Sequence, residues 1–518
     1  MKALTSLILV IITAQADDAL AQAGRRPAAM PTTPAEPAAA DVIDKPVLAK
    51  LTALGIQPAS RCPDDVFVRR VYLDVIGTLP TAEEARAFLA DRNPQKRALL
   101  IDRLLQRPES GDYWAMKWCD LLRVKSEVPI NLWPNAVQAY HRWVRDALKQ
   151  NMPYDRFVRE MLTASGSNFR EPPVNFYRAV RDRQPETIAQ AVALTFMGTR
   201  SEEWPRERLA GMSAFFADIQ YKKTTEWKEE IVQVDQLGGT ARDAVFPDGT
   251  RVAIPAGADS RAVFADWLIR PENPWFARNI VNRVWYWLLG VGIVHEPDDI
   301  RPDNPPSNPE LLAALERELV ASHYDLRHLY RRILNSATYQ RSCIPTTERS
   351  EAEKLSAHYC MRRLDAEVLI DAICQITGTT ETYTSLIPEP WTYIPKEMRS
   401  IALADASITS SFLDLFGRPA RDTGLESERS NAPSAAQRLH LLNSSHIQHK
   451  LAESEKLGAL ARSRSPVDEL YLTFLSRYPT DKERKLVASR KRVSDGNAGL
   501  VLELAWVLLN TAEFQYRH

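Results

Sequence analysis

Apolar residues recur with the 3.6-residue period of helices over most of this chain, and the period fails in two places. Over 41–216 the pattern is helical. Thr81 and Glu84 have the spacing of a capping box, which predicts a helix start. Asn93-Pro94 predicts a second start with proline in the first position, and Pro108 a stop. Asp112 is expected to cap the next helix, with Trp114, Trp118, Leu121 and Leu122 on its buried face. Further helices are predicted over 135–150, 155–164, 185–197 and 206–217.

Between 221 and 255 the pattern changes to short β-type runs at 231–234, 244–246 and 251–254. The last two flank Pro247-Asp248-Gly249-Thr250, a turn signal. Helical periodicity returns from Ser260, with helices expected over 260–270, 274–289, 308–322, 326–336, 364–377, 433–452, 466–476, 480–493 and 498–511. The stretch 378–432 is long, irregular and rich in Pro, Ser and Thr. The pattern gives a mostly α fold: an N-terminal helical domain (41–220), a small β insert (221–258) and a C-terminal helical domain (259–518).

The first forty residues read differently. Lys2 precedes an apolar run over 4–14, too short to span a bilayer, and Ala21-Gln22-Ala23 offers a small-x-small cleavage site. The expectation is a signal peptide over 1–23 and export to the periplasm or beyond. An Ala- and Pro-rich spacer follows over 24–40. No later segment is apolar for 18 residues, so no transmembrane segment is expected in the mature chain.

Composition narrows the function classes. Lys plus Arg and Asp plus Glu are 66 each among 518 residues, which removes the usual electrostatic footprint of nucleic-acid binding. The five cysteines (62, 119, 343, 360, 374) are an odd number, and no CxxC, CxxCH or HExxH occurs.

Three segments carry a resemblance. They are FVRRVYLDVIGTLPTAEEARAFLADRNPQKRALLIDRLLQRPESGDYWAMKWCDLLR (67–123), RAVFADWLIRPENPWFARNIVNRVWYWLLGVGIVHEPDDIRPDNPPSNPELL (261–312) and FGRPARDTGLESERSNAPSAAQRLHLLNS (416–444). Together they resemble planctomycete-type secreted domains of unknown function, planctomycete cytochrome-c-like domain two followed by planctomycete secreted domain one. The resemblance covers nearly everything after residue 40 and implies little about activity. Many members carry a Cys-x-x-Cys-His element where this chain has Thr199-Arg200-Ser201-Glu202-Glu203-Trp204. Many also carry Cys-x-Cys where it has Leu425 and Ser427. Covalent haem needs two thiols and an axial histidine, so the chain reads as a branch without haem, and no cofactor is expected.

Candidate chemistry lies in a few clusters. Asp298, Asp299 and Asp303, with Glu296 and Asn304, are oxygen donors of the kind calcium takes, but Arg301 competes and four prolines stiffen the loop. His446 and His449 share a helical face, while His440 falls opposite His449 if 433–452 is one helix. Arg418, Arg421 and Arg429, with Arg363, are the ligand-binding candidates, because guanidinium groups recognise anions and sugars through paired hydrogen bonds. The same arginines suit a buried ion-pair network with Asp365, Glu367, Glu426 and Glu428. In an extended segment Glu426 and Glu428 would share a face and suit acid–base work. Trp275, Phe276, Trp285 and Trp287 read as core. Trp133, Trp204, Trp227 and Trp391 fall in breaks and suit stacking on carbohydrate. No GxSxG elbow is present. The leading expectation is an exported, non-catalytic binding or scaffolding protein, polysaccharide- or envelope-associated. The alternative is a carboxylate-dependent hydrolase acting on an extracellular polymer, and an electron carrier ranks third.

Overall fold

The computed structural model describes residues 41–235, 241–491 and 496–518. The signal-peptide and spacer expectations lie outside the described residues. The fold is mostly α, with small two- and three-stranded sheets. Thr81 caps the helix Ala82–Ala90: its side chain accepts from the Glu84 N–H while the Glu84 carboxylate takes the Thr81 N–H.

Several expected helix ends move. Lys96–Gln106 begins after Pro94, because Asn93 closes a turn on the Gln95 N–H (2.9 Å). Pro108 opens the helix Pro108–Leu121 rather than closing the one before it, since a first-turn proline gives up no hydrogen bond. Asp112 therefore lies inside that helix. Its buried face carries Trp114, Trp118 and Leu121 as expected, with Lys117 and Asp120 among them. The stretch 433–452 forms two helices, Ala435–Asn443 and Ser445–Ala452. Ser444 breaks them by accepting the Ile447 N–H and capping the second.

The β region holds one strand more than the pattern signals. Ile219–Lys223 pairs antiparallel with Glu230–Val234, with Tyr221 opposite Val232. Gly166–Ser167 joins the other edge of Glu230–Val234, with Ser167 opposite Ile231. The sheet is thus tied into the N-terminal helical segment rather than standing as a free insert. Ile219–Lys223 reads as polar and gives little β signal, because only one side of it is covered. Arg242–Val245 and Arg251–Ile254 form the expected hairpin, its turn held by Asp248 accepting from the Thr250 N–H (2.9 Å).

The two helical segments share one continuous apolar core. Arg70 donates to the carbonyls of Tyr339, Arg341 and His518, and Arg69 to those of Phe474 and Phe514. The Asp44 carboxylate takes the Ala337 and Thr338 N–H groups. Buried charges and carbonyls satisfied only across the two halves leave neither with a complete interior of its own. Trp285, 1% exposed, lies in this core.

Candidate functional site

A buried charge network sits where the two halves meet. The helix Ala366–Thr377 places Asp365 and Glu367 at its start. The helix Pro108–Leu121 brings Lys117 and Asp120 on successive turns, and the irregular stretch supplies Arg418, Arg421 and Arg429. Arg429 bridges Asp120 and Glu367, both at 2.7 Å. Arg421 donates to Asp120 (2.8 Å), and Arg418 lies 3.4 Å from Glu367. Asp365 receives Arg517 (2.9 Å), Lys117 (3.1 Å) and the Asn431 amide (2.9 Å). Arg517 also reaches Asp74 (3.2 Å).

Burial raises the pKa of Asp365, but Lys117, Arg517 and Arg429 overcome it and hold the carboxyl well below its usual range. Lys117 moves down instead, because burial outweighs its one carboxylate partner and Arg429 and Arg517 repel its charge. The asymmetry is physical: Asp365 faces three cations, Lys117 one close anion. Arg421 adopts a left-handed backbone conformation (φ 59°), held by the burial of its guanidinium.

A cavity of about 310 Å³ opens beside this network, with Lys117, Trp287, Arg363, Glu426, Arg429 and Tyr516 in its wall. Arg363 is 3% exposed. Its Nη2 donates to the carbonyls of Phe416 (2.6 Å) and Ser430 (3.1 Å), while Nε and Nη1 have no partner. Among the four candidate arginines it alone has no carboxylate within 4.0 Å among the described residues. Glu426 keeps 10% of its side chain exposed. Its carboxyl accepts the Trp287 indole N–H at 3.1 Å to each oxygen, with Arg283 3.6 Å away. Burial pushes its pKa up, against the pull of Arg283 and Lys117.

Glu426–Glu428 is a 3-10 turn, not an extended segment, so the two glutamates diverge. Glu428 folds back onto the N–H groups of Asp422 (2.8 Å) and Thr423 (3.2 Å), and Glu426 alone faces the cavity. Asp298 is fully buried against Arg283 (2.5 Å) and accepts the Glu426 N–H (2.6 Å). Asp299 and Asp303 lie 3.1 and 3.5 Å from Arg301. Guanidinium groups thus take the oxygens that a cation would need. Among the described residues no group of three or more His, Cys, Asp or Glu is placed to hold a metal ion.

The break at Ser444 leaves His446 and His449 on one helix but moves His440 onto another. His440 Nε2 lies 3.3 Å from His446 Nδ1, His446 reaches Glu381 (2.9 Å), and His449 is exposed apart from them. Three loop tryptophans meet. Trp133 lies 6.4 Å from Trp227 and 6.2 Å from Trp391, both edge-on, with Lys228 Nζ 4.8 Å over its ring. Trp227 and Trp391 are 68% and 47% exposed. Trp204 is instead half-buried beneath Arg208 (3.9 Å).

Parts of the two stretches that depart from the resemblance come together. Arg200 and Glu202, with Leu425 and Ser427, line one cavity of about 480 Å³. Among the described residues no thiol or imidazole lines it, so these residues do not fit a covalent haem. Sequence reasoning missed Lys117, Asp120, Asp74 and Arg517 in the network, and Arg283 beside Asp298 and Glu426. A signal was available: Lys117, Asp120 and Arg283 are charges within otherwise apolar helical faces, which mark buried ion pairs.

The chain matches the family PSCyt2, protein of unknown function (DUF1549), over residues 42–220. It matches PSD1, protein of unknown function (DUF1553), over residues 260–490. No curated protein and no solved structure matches the chain.

Proposed function

We propose that this chain, which belongs to the family in which PSCyt2 is followed by PSD1, is an exported binding protein for an acidic polysaccharide. The observation that carries the reading is Arg363. A nearly buried guanidinium at a cavity wall, with no carboxylate within 4.0 Å among the described residues, is costly unless an anion balances its charge. A planar carboxylate or a sulfate suits that fork. The exposed rings of Trp227 and Trp391 around Trp133 offer a further surface for a glycan, because sugar rings stack on aromatic faces. Lys2, the apolar run over 4–14 and Ala21-Gln22-Ala23 support export.

The hydrolase reading has one observation in its favour, the Glu426 carboxyl held toward its protonated form at the same cavity. The usual two-carboxylate arrangement would need a partner. Glu428 does not supply it, being committed to the 422–423 turn.

The test is affinity electrophoresis of the mature protein, expected to begin near Gly24 on N-terminal sequencing, through gels containing polygalacturonate, a sulfated galactan or neutral dextran. Retardation is expected in the acidic gels and not in dextran. Arg363→Gln should weaken it about tenfold, the scale of one lost charge-assisted hydrogen bond, with Trp227→Ala also weakening it. Equal mobility in all gels, or full retention by Arg363→Gln, would overturn the reading.

A further inference from the structure

The turn at 425–427 divides two cavities. Glu426 faces the cavity of Arg363, while Leu425 and Ser427 face the opposite way, into the larger one of about 480 Å³. Elements more than two hundred residues apart in sequence build the second cavity. Arg200 and Glu202 follow the turn at Gly198, which is fastened to the 296–304 loop through the Ile300 N–H (2.8 Å) and Thr199 Oγ1 (3.0 Å). Arg123 lies on the wall at 3% exposure. Its Nε and Nη1 donate to the carbonyls of Ala179 (2.6 Å) and Leu121 (3.2 Å), and its Nη2 has no partner. Gly424 makes the close approach possible, because a Cβ there would press on Arg123 Nη1 (2.6 Å).

The remaining wall is mixed. Ile130, Val180, Ala191, Leu194 and Leu425 give it an apolar lining. Arg123, Arg181 and Arg200 are its cations, and Glu202 and Asp422 its carboxylates. Asp422 is already neutralised by Lys125 (2.7 Å), and Arg200 pairs with Glu296 (2.7 Å) while its Nε has no partner. The balance is positive, and Arg123 has no carboxylate within 4.0 Å among the described residues. Size, an apolar lining and a few charged groups in the wall are the features of a small-molecule pocket.

We propose that this cavity binds a small amphipathic acid, an alkyl or aryl body bearing one carboxylate or sulfonate, with the Arg123 guanidinium as the countercharge for the anion. The site is separate from the one at Arg363, so each can fail without the other.

The probe is 1-anilinonaphthalene-8-sulfonate, titrated into the full-length folded protein and followed by fluorescence, with far-UV circular dichroism as the control for folding. One saturable site is expected, displaced by octanoate and not by octanol. Ser427→Trp, which fills the cavity from an exposed position, and Arg123→Gln should each weaken the probe at least tenfold, and Arg363→Gln should leave it unchanged. If Arg123→Gln does not fold, Ser427→Trp decides. Absence of saturable binding, unchanged binding by Ser427→Trp, or equal displacement by octanol would overturn the proposal.

Discussion

Glu426 meets an indole N–H and a distant guanidinium where solvent would otherwise stabilise its charge, so burial raises its pKa above the ordinary 4.5. In the unfolded chain the group ionises freely. Folding therefore becomes less favourable as pH rises from the unfolded value through the folded one. Glutamine mimics the protonated acid and escapes that cost. Glu426→Gln is expected to raise the melting temperature at pH 8, and the gain should shrink to nothing as pH falls below about 4. Thermal scans across that range check it, and a constant offset at every pH would show that the carboxyl does not titrate with folding. Asp365 has the opposite linkage. Its depressed pKa gives stability that is present above the unfolded value and lost as pH falls toward the folded one. The arginine–carboxylate crowding was visible in the sequence. Which guanidinium would lack a partner was not, because Asp120 and Asp74, the partners that satisfy Arg421, Arg429 and Arg517, lie hundreds of residues away from them.

At the scale of elements, long periodic helices were legible because a buried stripe repeats with the backbone. Local hydrogen bonds that compete with the helix were less so. Ser444 breaks a predicted helix by capping the next, and that break is what pairs His440 with His446. The stretch 416–430 depends on a similar local decision. Gly417 sits at φ 81° against the Ser430 carbonyl, which also accepts from Arg363. A Cβ there would meet that oxygen. Gly417→Ala should cost at least about 1–2 kcal/mol, the left-handed penalty of an L-residue, measured by chemical denaturation. It should also weaken retardation in acidic gels, because Ser430 helps to aim Arg363. A loss under about 0.5 kcal/mol, the range of an ordinary surface change, would show that the loop closes without this contact.

The whole molecule has one continuous core under two family segments. Calorimetry should therefore record a single cooperative unfolding transition rather than one for each segment. Two resolved transitions would show that 41–220 and 259–518 are thermodynamically separate. The sequence by itself determined the helical class, the β region, the family and the pool of charged residues from which a site is drawn, because each of these is written in local periodicity or contiguous motif. Tertiary structure alone decided that the two halves share an interior, that Glu426 and Glu428 part company, that three loop tryptophans meet, and that Arg363 and Arg123 line cavities without a carboxylate partner. Those outcomes depend on which distant group reaches a buried charge first, and hydrogen-bond geometry across the core settles that only once the chain has folded.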